Sequence, residues 1–549
     1  MKLNKNCFRI LLISASLTFS FLIGGPSQAA PISVLNQVQG RTPFIWNVTL
    51  SGVNTSTLQS VQFSISPKSG SLTQPISATY SATYLSSQNR INTALGQVTI
   101  PVFGLYASTQ INSNNVTITV RSRQSSFSIA DTITTTPWTV TPYSSPTKVV
   151  PRNNVKLDYS FFYLREFIGD GYSPVLVDTD GEVRWVGTVG CNSGSPSVKF
   201  YQGSFFTNCG TTLYQNNLDG SNGPLFDYSS PNSPVNASSL GHHNYDIGKQ
   251  GLLLEINAYS NGNVYPNSNL EQEIIEVSPT TGQVYKTFDF GKIISQAMTA
   301  GGDNPALFVK DPNNDWFHNN SATYWPSQNE IVASSRENFV IAVDYTTQKI
   351  KWILGDPTKS WYTNFPSLRK FALKFSPGTI YPVGQHALSI TSNNQLLMFD
   401  NDLYGGGSGG LNPSPPYSVP RMYSINESRG IATETWQFLR AQPLWSPICS
   451  SIYQDGRSFL VDYASQGMPN WGSPLGNGLG YGPELMGLDG NKQVAFDYYY
   501  PGAFQNGWNA DPIHLENLQF SSSAPLLPNF AAPLQLDAIA PGTLSSLYW

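Results

Sequence analysis

One hairpin pattern returns six times along this chain, and it restricts the fold more tightly than any other feature. Each copy is an apolar strand, a turn rich in Asp, Thr, Asn and Gly, and a strand carrying an aromatic residue. The copies begin at Val175 ("VLVDTDGEVRWV"), Leu213, Ile274 ("IIEVSPTTGQVYKTFDF"), Val340 ("VIAVDYTTQKIKWIL"), Arg421 and Glu484. Their spacing of roughly 40 to 80 residues, with no helical periodicity between them, is that of β-propeller blades. The composition agrees. Charged residues are 12% and aromatics 13% of the chain, with Ser, Thr, Asn and Gly filling the gap, a mixture suited to pleated strands and polar turns.

A second hairpin precedes several of the copies. It reads "HNYDIGKQGLLLEINAYS", "HNNSATYWPSQNEIVASSREN", "HALSITSNNQLLMFDND" and "CSSIYQDGRSFLVDYAS". Each opens on one special residue, crosses a polar turn and returns as an apolar strand. The openers are His243, His318, His386 and Cys449.

The region from about Pro31 to Pro142 reads differently. Short alternating segments such as "FIWNVTLSG", "GQVTIPVFGL" and "NVTITVRS" are parted by Gly, Ser, Asn and Pro, the pattern of a small β-sandwich. It holds no histidine and is assigned no chemistry. Pro142, Pro146 and Pro151 mark a stiff linker. The expected architecture is therefore all-β: a leader over residues 1–29, an Ig-like β-sandwich over 30–145 and a six-bladed β-propeller over 146–549.

The leader expectation rests on Lys2, Lys5 and Arg9, followed by the apolar run Ile10 to Ile23 and by Ser27-Gln28-Ala29. That is a signal-peptide plan, too short to span a bilayer. It predicts an exported, periplasmic or secreted protein. Cys191 and Cys209 bracket a short polar stretch and are candidates for one disulfide, which leaves Cys449 without a partner. No Cys-x-x-Cys pair is present, and no motif asks for a metal or a cofactor. The net charge of −4, without a basic run, argues against a nucleic-acid partner.

The chain has five histidines. Equivalent positions on successive blades face one another across a propeller's channel, so His243, His318 and His386 are expected to converge. His242 is read as a supporting donor or a packing residue, and His514, in "DPIHLENL", as a surface residue. Asn320 lies two residues after His318 and shares its face if the strand is regular. Arg336 ends the returning strand of the same hairpin. A His, an Asn and an Arg together make a donor-rich pocket for an oxyanion. The competing role for Arg336 is an ion pair with Glu337.

"LGHHNYDI", "DWFHNNSATY", "IVASSRENFVIAVDY", "KIKWILGDP", "GQHALSI" and "LLMFDND" together resemble the bacterial arylsulfate sulfotransferases that do not use phosphoadenosine phosphosulfate. The resemblance runs in order from about Asp178 to about Tyr463. It implies a six-bladed propeller that moves a sulfuryl group from an aryl sulfate to a phenol, with a ping-pong order. Residue by residue, it implies that His386 in "GQHAL" is the sulfated nucleophile. It implies that His318, Asn320 and Arg336 hold the transition state, and that His243 lines the channel. Aryl sulfates and phenols are then the partners, and a homodimer is left open. Two other readings fit parts of the pattern. A quinone-dependent dehydrogenase propeller would need eight blades. A non-catalytic binding propeller would give no reason for His, Asn and Arg to gather at one repeat position.

Overall fold

A computed structural model of the chain describes residues 31–521, except 109–112, 139–142, 144–145, 166–172, 190–196, 236, 260–268, 310–315, 403–416, 467–481 and 501–508. The expected leader and Cys191 lie outside the described residues. Among the described residues, no helix is long and apolar enough to cross a membrane.

Six sheets of four or five strands form the propeller, and two more form the N-terminal unit. Each repeated sequence hairpin is the outer pair of strands of one blade. Val175–Asp178 pairs with Val183–Val186, Phe339–Asp344 with Ile350–Gly355, and Glu484–Leu488 with Val494–Tyr499. The second kind of hairpin is the inner pair, as in Asn319–Trp325 against Glu330–Ser335. Six blades exclude the eight-bladed quinoprotein plan.

Burial explains the two sequence textures. Blade strands are covered on both faces by neighbouring blades, so Phe161–Arg165 and Ser458–Tyr463 are buried at every position. They read as continuous apolar runs. In the N-terminal unit, Leu58–Ile65 alternates between buried and more exposed positions, as a sandwich strand with one wet face should. That unit stacks the sheet containing Ile45–Ser51 and Gln97–Phe103 on the sheet containing Leu58–Ile65 and Asn114–Ser122. The "TTGQ" turn of the third blade needs its glycine. Gly282 has φ +71°, and a Cβ there would sit 2.4 Å from the Phe226 side chain.

The ring is closed by the end of the chain. Asn509–Ile513 pairs antiparallel with Phe161–Arg165 and becomes the innermost strand of the first blade. Thr147–Val150 adds to the outer edge of the last blade. Leu518–Phe520 then joins the sandwich, parallel to Ile76–Ser81. Arg184 of the first blade ties the two units together. It is buried, with Nη1 2.9 Å from Asp178 Oδ2 and with Nε and Nη2 donating to the Gly104 carbonyl at 3.0 and 2.7 Å. Its guanidinium lies 3.6 Å from the centre of the Tyr106 ring.

Candidate active site

The site forms where the innermost strands begin or, in Ala237–Ile247, where the strand breaks register midway. Regular pleating would send alternate side chains into the neighbouring blades. Here the inner strands are irregular at these points. Register shifts fall between Leu240 and Tyr245, between Asn319 and Ser321, and between His386 and Ser389. His318, Ala387, Cys449 and Ser450 have φ of +47°, +53°, +58° and +78°. Bulges with left-handed residues re-aim side chains, which is what brings the repeat openers into the channel. The same irregularity removes the simple alternation expected through His318. His318 precedes its strand, and Asn320 sits in the bulge.

The three openers converge. His243 Nε2 lies 3.1 Å from His318 Nε2, and the His243 and His386 ring centres are 5.2 Å apart. All three histidines are buried. Cys449, the fourth opener, joins them. A ring nitrogen of His243, a ring nitrogen of His386 and the Cys449 sulfur lie within 4.8 Å of one another.

His386 has a fixed tautomer. Its Nδ1 lies 2.7 Å from Asn401 Oδ1 and 3.0 Å from the Gly384 carbonyl, both acceptors. The Asn401 amide cannot be turned round, because its Nδ2 donates to the carbonyls of Ser446 and Cys449 at 2.7 and 2.9 Å. Nδ1 therefore carries the proton. Nε2 keeps its lone pair, which accepts the Cys449 backbone N–H at 3.2 Å. Burial, and then the nearby Arg336 charge, pull the His386 pKa down to about 3. The imidazole is neutral at every physiological pH.

The expected donors surround it unevenly. Asn320 Nδ2 donates to the Gln385 carbonyl at 2.8 Å, beside His386, so this asparagine bridges two blades. Arg336 donates its backbone N–H to the His318 carbonyl at 3.2 Å, which sets it against the histidine as the hairpin geometry predicts. Its guanidinium also makes the expected ion pair, with Nε and Nη2 both 2.8 Å from Glu337 Oε1. It serves Glu337 and still lies close enough to His386 to disfavour a second positive charge there. Of the aromatics near the openers, Trp316 and Phe317 are packed in the core, and Tyr324 lies at the opposite end of its strand, on the far channel mouth. His514 stays outside the site, half-exposed, between Asp455 at 3.0 Å and Glu516 at 3.3 Å. The His242 side chain lies outside the described residues.

Sequence reasoning missed several neighbours. Asn401 lies within the quoted "LLMFDND", but an asparagine after a strand carries no distinctive signal. Asn244, next to His243, donates to the Tyr453 hydroxyl at 3.1 Å and is held by Glu255 through its backbone N–H at 3.2 Å. Arg165 is buried beside these groups. Burial lowers its pKa to about 10, against the opposing charge of Glu255. Cys209 is disulfide-bonded, whereas Cys449 is a free, buried thiol whose pKa burial pushes up.

An ion-pair network crosses the opposite mouth of the channel. There Lys199 Nζ bridges Asp246 Oδ1 at 3.1 Å and Asp511 Oδ2 at 2.7 Å, beneath a cavity of about 490 Å³ that none of the histidines touches. The histidine cluster lies away from that cavity.

Comparison with known proteins bears on the family. The Arylsulfotransferase Ig-like domain profile matches residues 47–137, within the sandwich. A curated relative, arylsulfate sulfotransferase AssT from Escherichia coli O6:H1 (strain CFT073), is 30% identical over 172 residues. The match covers 28% of this chain and 28% of AssT. Two solved structures align with a TM-score of 0.30 each. One is a Bacteroides thetaiotaomicron protein of unknown function, with 10% identity over 80% of this chain and 96% of that one. The other is the Myceliophteria thermophila Cps50 (Swd1) β-propeller domain, with 12% identity over 62% and 87%. At such scores the fold rests on the strand order and not on these neighbours. The Arylsulfotransferase (ASST) profile matches residues 152–498, more than half of the chain and every blade of the ring: the chain belongs to the arylsulfotransferase family.

Proposed function

We propose that this protein transfers a sulfuryl group from an aryl sulfate to a phenol through a covalent intermediate on His386, without a phosphoadenosine cofactor. The observation that carries the reading is the fixed tautomer of a neutral, buried imidazole, with its Nε2 lone pair facing a cluster of donors.

In the first half-reaction Nε2 attacks the sulfur, the N–S bond forms and the S–O bond to the aryl group breaks. The departing phenolate takes a proton from the His243–His318 pair when that pair carries an imidazolium, which leaves both rings neutral and sharing one hydrogen bond. Charge on the sulfuryl oxygens is met by His318, Asn320 and Arg336, fixed donors around a buried histidine cluster. The Cys449 N–H, released from Nε2, is placed to donate to a sulfuryl oxygen. In the second half-reaction a new phenol gives its proton back to the histidine pair, its oxygen attacks sulfur, and the N–S bond breaks. The order is ping-pong.

The same reading places the enzyme outside the cytoplasm, supported by the leader sequence over 1–29 and by the disulfide at Cys209. It keeps residues 30–145 as a sandwich without chemistry and 146–549 as the catalytic ring.

The test is single turnover. Mixing the protein with 4-nitrophenyl sulfate and no acceptor should release about one equivalent of nitrophenol and add about 80 Da, mapped to the peptide holding His386. Phenol should remove the label, and His386→Asn should abolish both events. A label on His318 would move the nucleophile. Neither label nor phenol from several aryl sulfates would favour a non-catalytic binding propeller.

A further inference from the structure

The mechanism above uses the backbone of Cys449 and leaves its sulfur idle. That sulfur is placed with unusual care. It is buried, free of any disulfide, and held at the left-handed start of the fourth of the inner strands to open on a channel residue. It shares a space no wider than 4.8 Å with ring nitrogens of His243 and His386, and the His243 ring is hydrogen-bonded at 3.1 Å to the ring of His318.

We infer that the channel of this protein is also a binding site for a thiophilic divalent cation of the zinc type, held by His243, His386 and the Cys449 thiolate, with His318 at its edge.

The chemistry of the donor set favours such an ion. One sulfur and two or three imidazole nitrogens are a zinc or cobalt set, unlike the all-oxygen sets of magnesium and calcium. The distances suit it. A tetrahedral zinc with bonds of about 2.0 Å to nitrogen and about 2.3 Å to sulfur spaces its ligands about 3.3 to 3.6 Å apart. The cluster needs to contract by only about 1 Å, a shift that side-chain rotation supplies. His386 already has the orientation of a metal-bound histidine. Its Nδ1–H is tied to Asn401 Oδ1 and the Gly384 carbonyl, leaving Nε2 as the ligand atom.

The balance of charge also closes. Binding displaces one proton, from the Cys449 thiol, and forms one sulfur–metal bond. The thiolate offsets half the charge of the ion. Arg336 opposes a cation, and Glu337, paired with it at 2.8 Å, offsets part of that charge. The ion must also take the Nε2 lone pair from the Cys449 N–H. This is the lone pair that attacks sulfur in the proposed reaction. If that reading holds, cation and sulfuryl donor exclude one another, and the cation is an inhibitor, not a cofactor.

Cobalt(II) chloride titrated into the tag-free mature protein is the direct probe, because it requires no sulfuryl donor and is blind to whether the enzyme turns over. One equivalent per chain should raise a thiolate-to-cobalt charge-transfer band in the near ultraviolet with intense tetrahedral bands in the visible, and zinc chloride should bleach both. Cys449→Ser should lose the charge-transfer band. His243→Asn should weaken cobalt binding by about tenfold or more with an unchanged circular dichroism spectrum. A second measurement needs only the wild-type chain: zinc should protect Cys449 from alkylation. No band with cobalt in excess, a band that survives in Cys449→Ser, or an alkylation rate indifferent to zinc would each overturn the site.

Discussion

Asn401 accepts the Nδ1 proton of His386 at 2.7 Å while its own amide group grips the carbonyls of Ser446 and Cys449. One side chain thus sets the histidine's tautomer and anchors the loop that offers the Cys449 N–H. Asn401 touches no substrate in this arrangement; it is a positioning residue. Asn401→Leu should slow formation of the sulfo-enzyme by about 10- to 100-fold, with little change in KM for the donor. Asn401→Asp, which keeps the acceptor, should retain more of the rate than Asn401→Leu. Equal losses in the two variants, or a loss confined to KM, would assign Asn401 to packing alone.

The depressed pKa of His386 predicts an unusual pH profile. An ordinary imidazole protonates near pH 6.5 and stops acting as a nucleophile below it. His386, held near 3 by burial and by Arg336, stays neutral. The kcat/KM for the donor should therefore show no acid limb from His386 between about pH 5 and 8. Stability carries the same sign. Below about pH 6.5 the unfolded chain takes up a proton at this histidine that the native state refuses, so the native state loses stability as pH falls toward 3 and gains nothing from this group above 6.5. The wild-type protein should lose stability relative to His386→Asn over that acid range. A stability difference flat in pH would contradict the buried, neutral imidazole.

Arg336 has two roles in this structure, and one substitution separates them. Arg336→Lys keeps a charge for Glu337 but loses the planar fork. If the fork holds sulfuryl oxygens, single-turnover sulfation should slow by about 100-fold, the scale of losing one oxyanion donor. Activity within about twofold of wild type would leave Arg336 only its ion pair with Glu337.

Arg184 offers a stability test far from the chemistry. Arg184→Leu strands the buried carboxylate of Asp178 and two contacts to the Gly104 carbonyl. Removing one partner of such a pair costs about 3 to 5 kcal/mol. The double variant Arg184→Leu/Asp178→Leu should recover a large part of the loss in urea unfolding. No recovery would mean that packing across the Tyr106 ring, not charge, makes this junction.

The repeat made the ring and its three histidines legible, because each blade copies the position of its opener. What the repeat could not show was backbone exception. Asn320 was placed by strand alternation, yet the left-handed turn at His318 and the bulge after it make its orientation a matter of local geometry. The closing strand was also hidden. Asn509–Ile513 reads "NADPI", with an Asp and a Pro and no apolar period. Among the described residues it pairs with one strand, Phe161–Arg165, and the Ala510 backbone faces Ser451 instead, so Pro512, two residues on, sacrifices no ladder bond by lacking its N–H. The quinoprotein alternative failed on blade number, a quantity the six hairpins already contained.

The closing strand has a consequence in time. Tyr163 donates to Asp511 at 3.0 Å across 348 residues of sequence, and the ring is an open arc until that contact forms. Synthesis delivers His243, His318, His386 and Cys449 in order, each on a blade that can fold against the one before it. The last blade, however, has no closed neighbour on its free side until Asn509–Ile513 arrives. Loop-closure entropy for so long a span must be met before the closing contacts reward it, so closure is the natural slow step of folding. A chain that stops short of Asn509 would carry every proposed catalytic residue and still leave two blade faces uncovered. Until Asn509–Ile513 docks, the newly made ring is an open intermediate with uncovered apolar faces, the kind of species prone to misassembly.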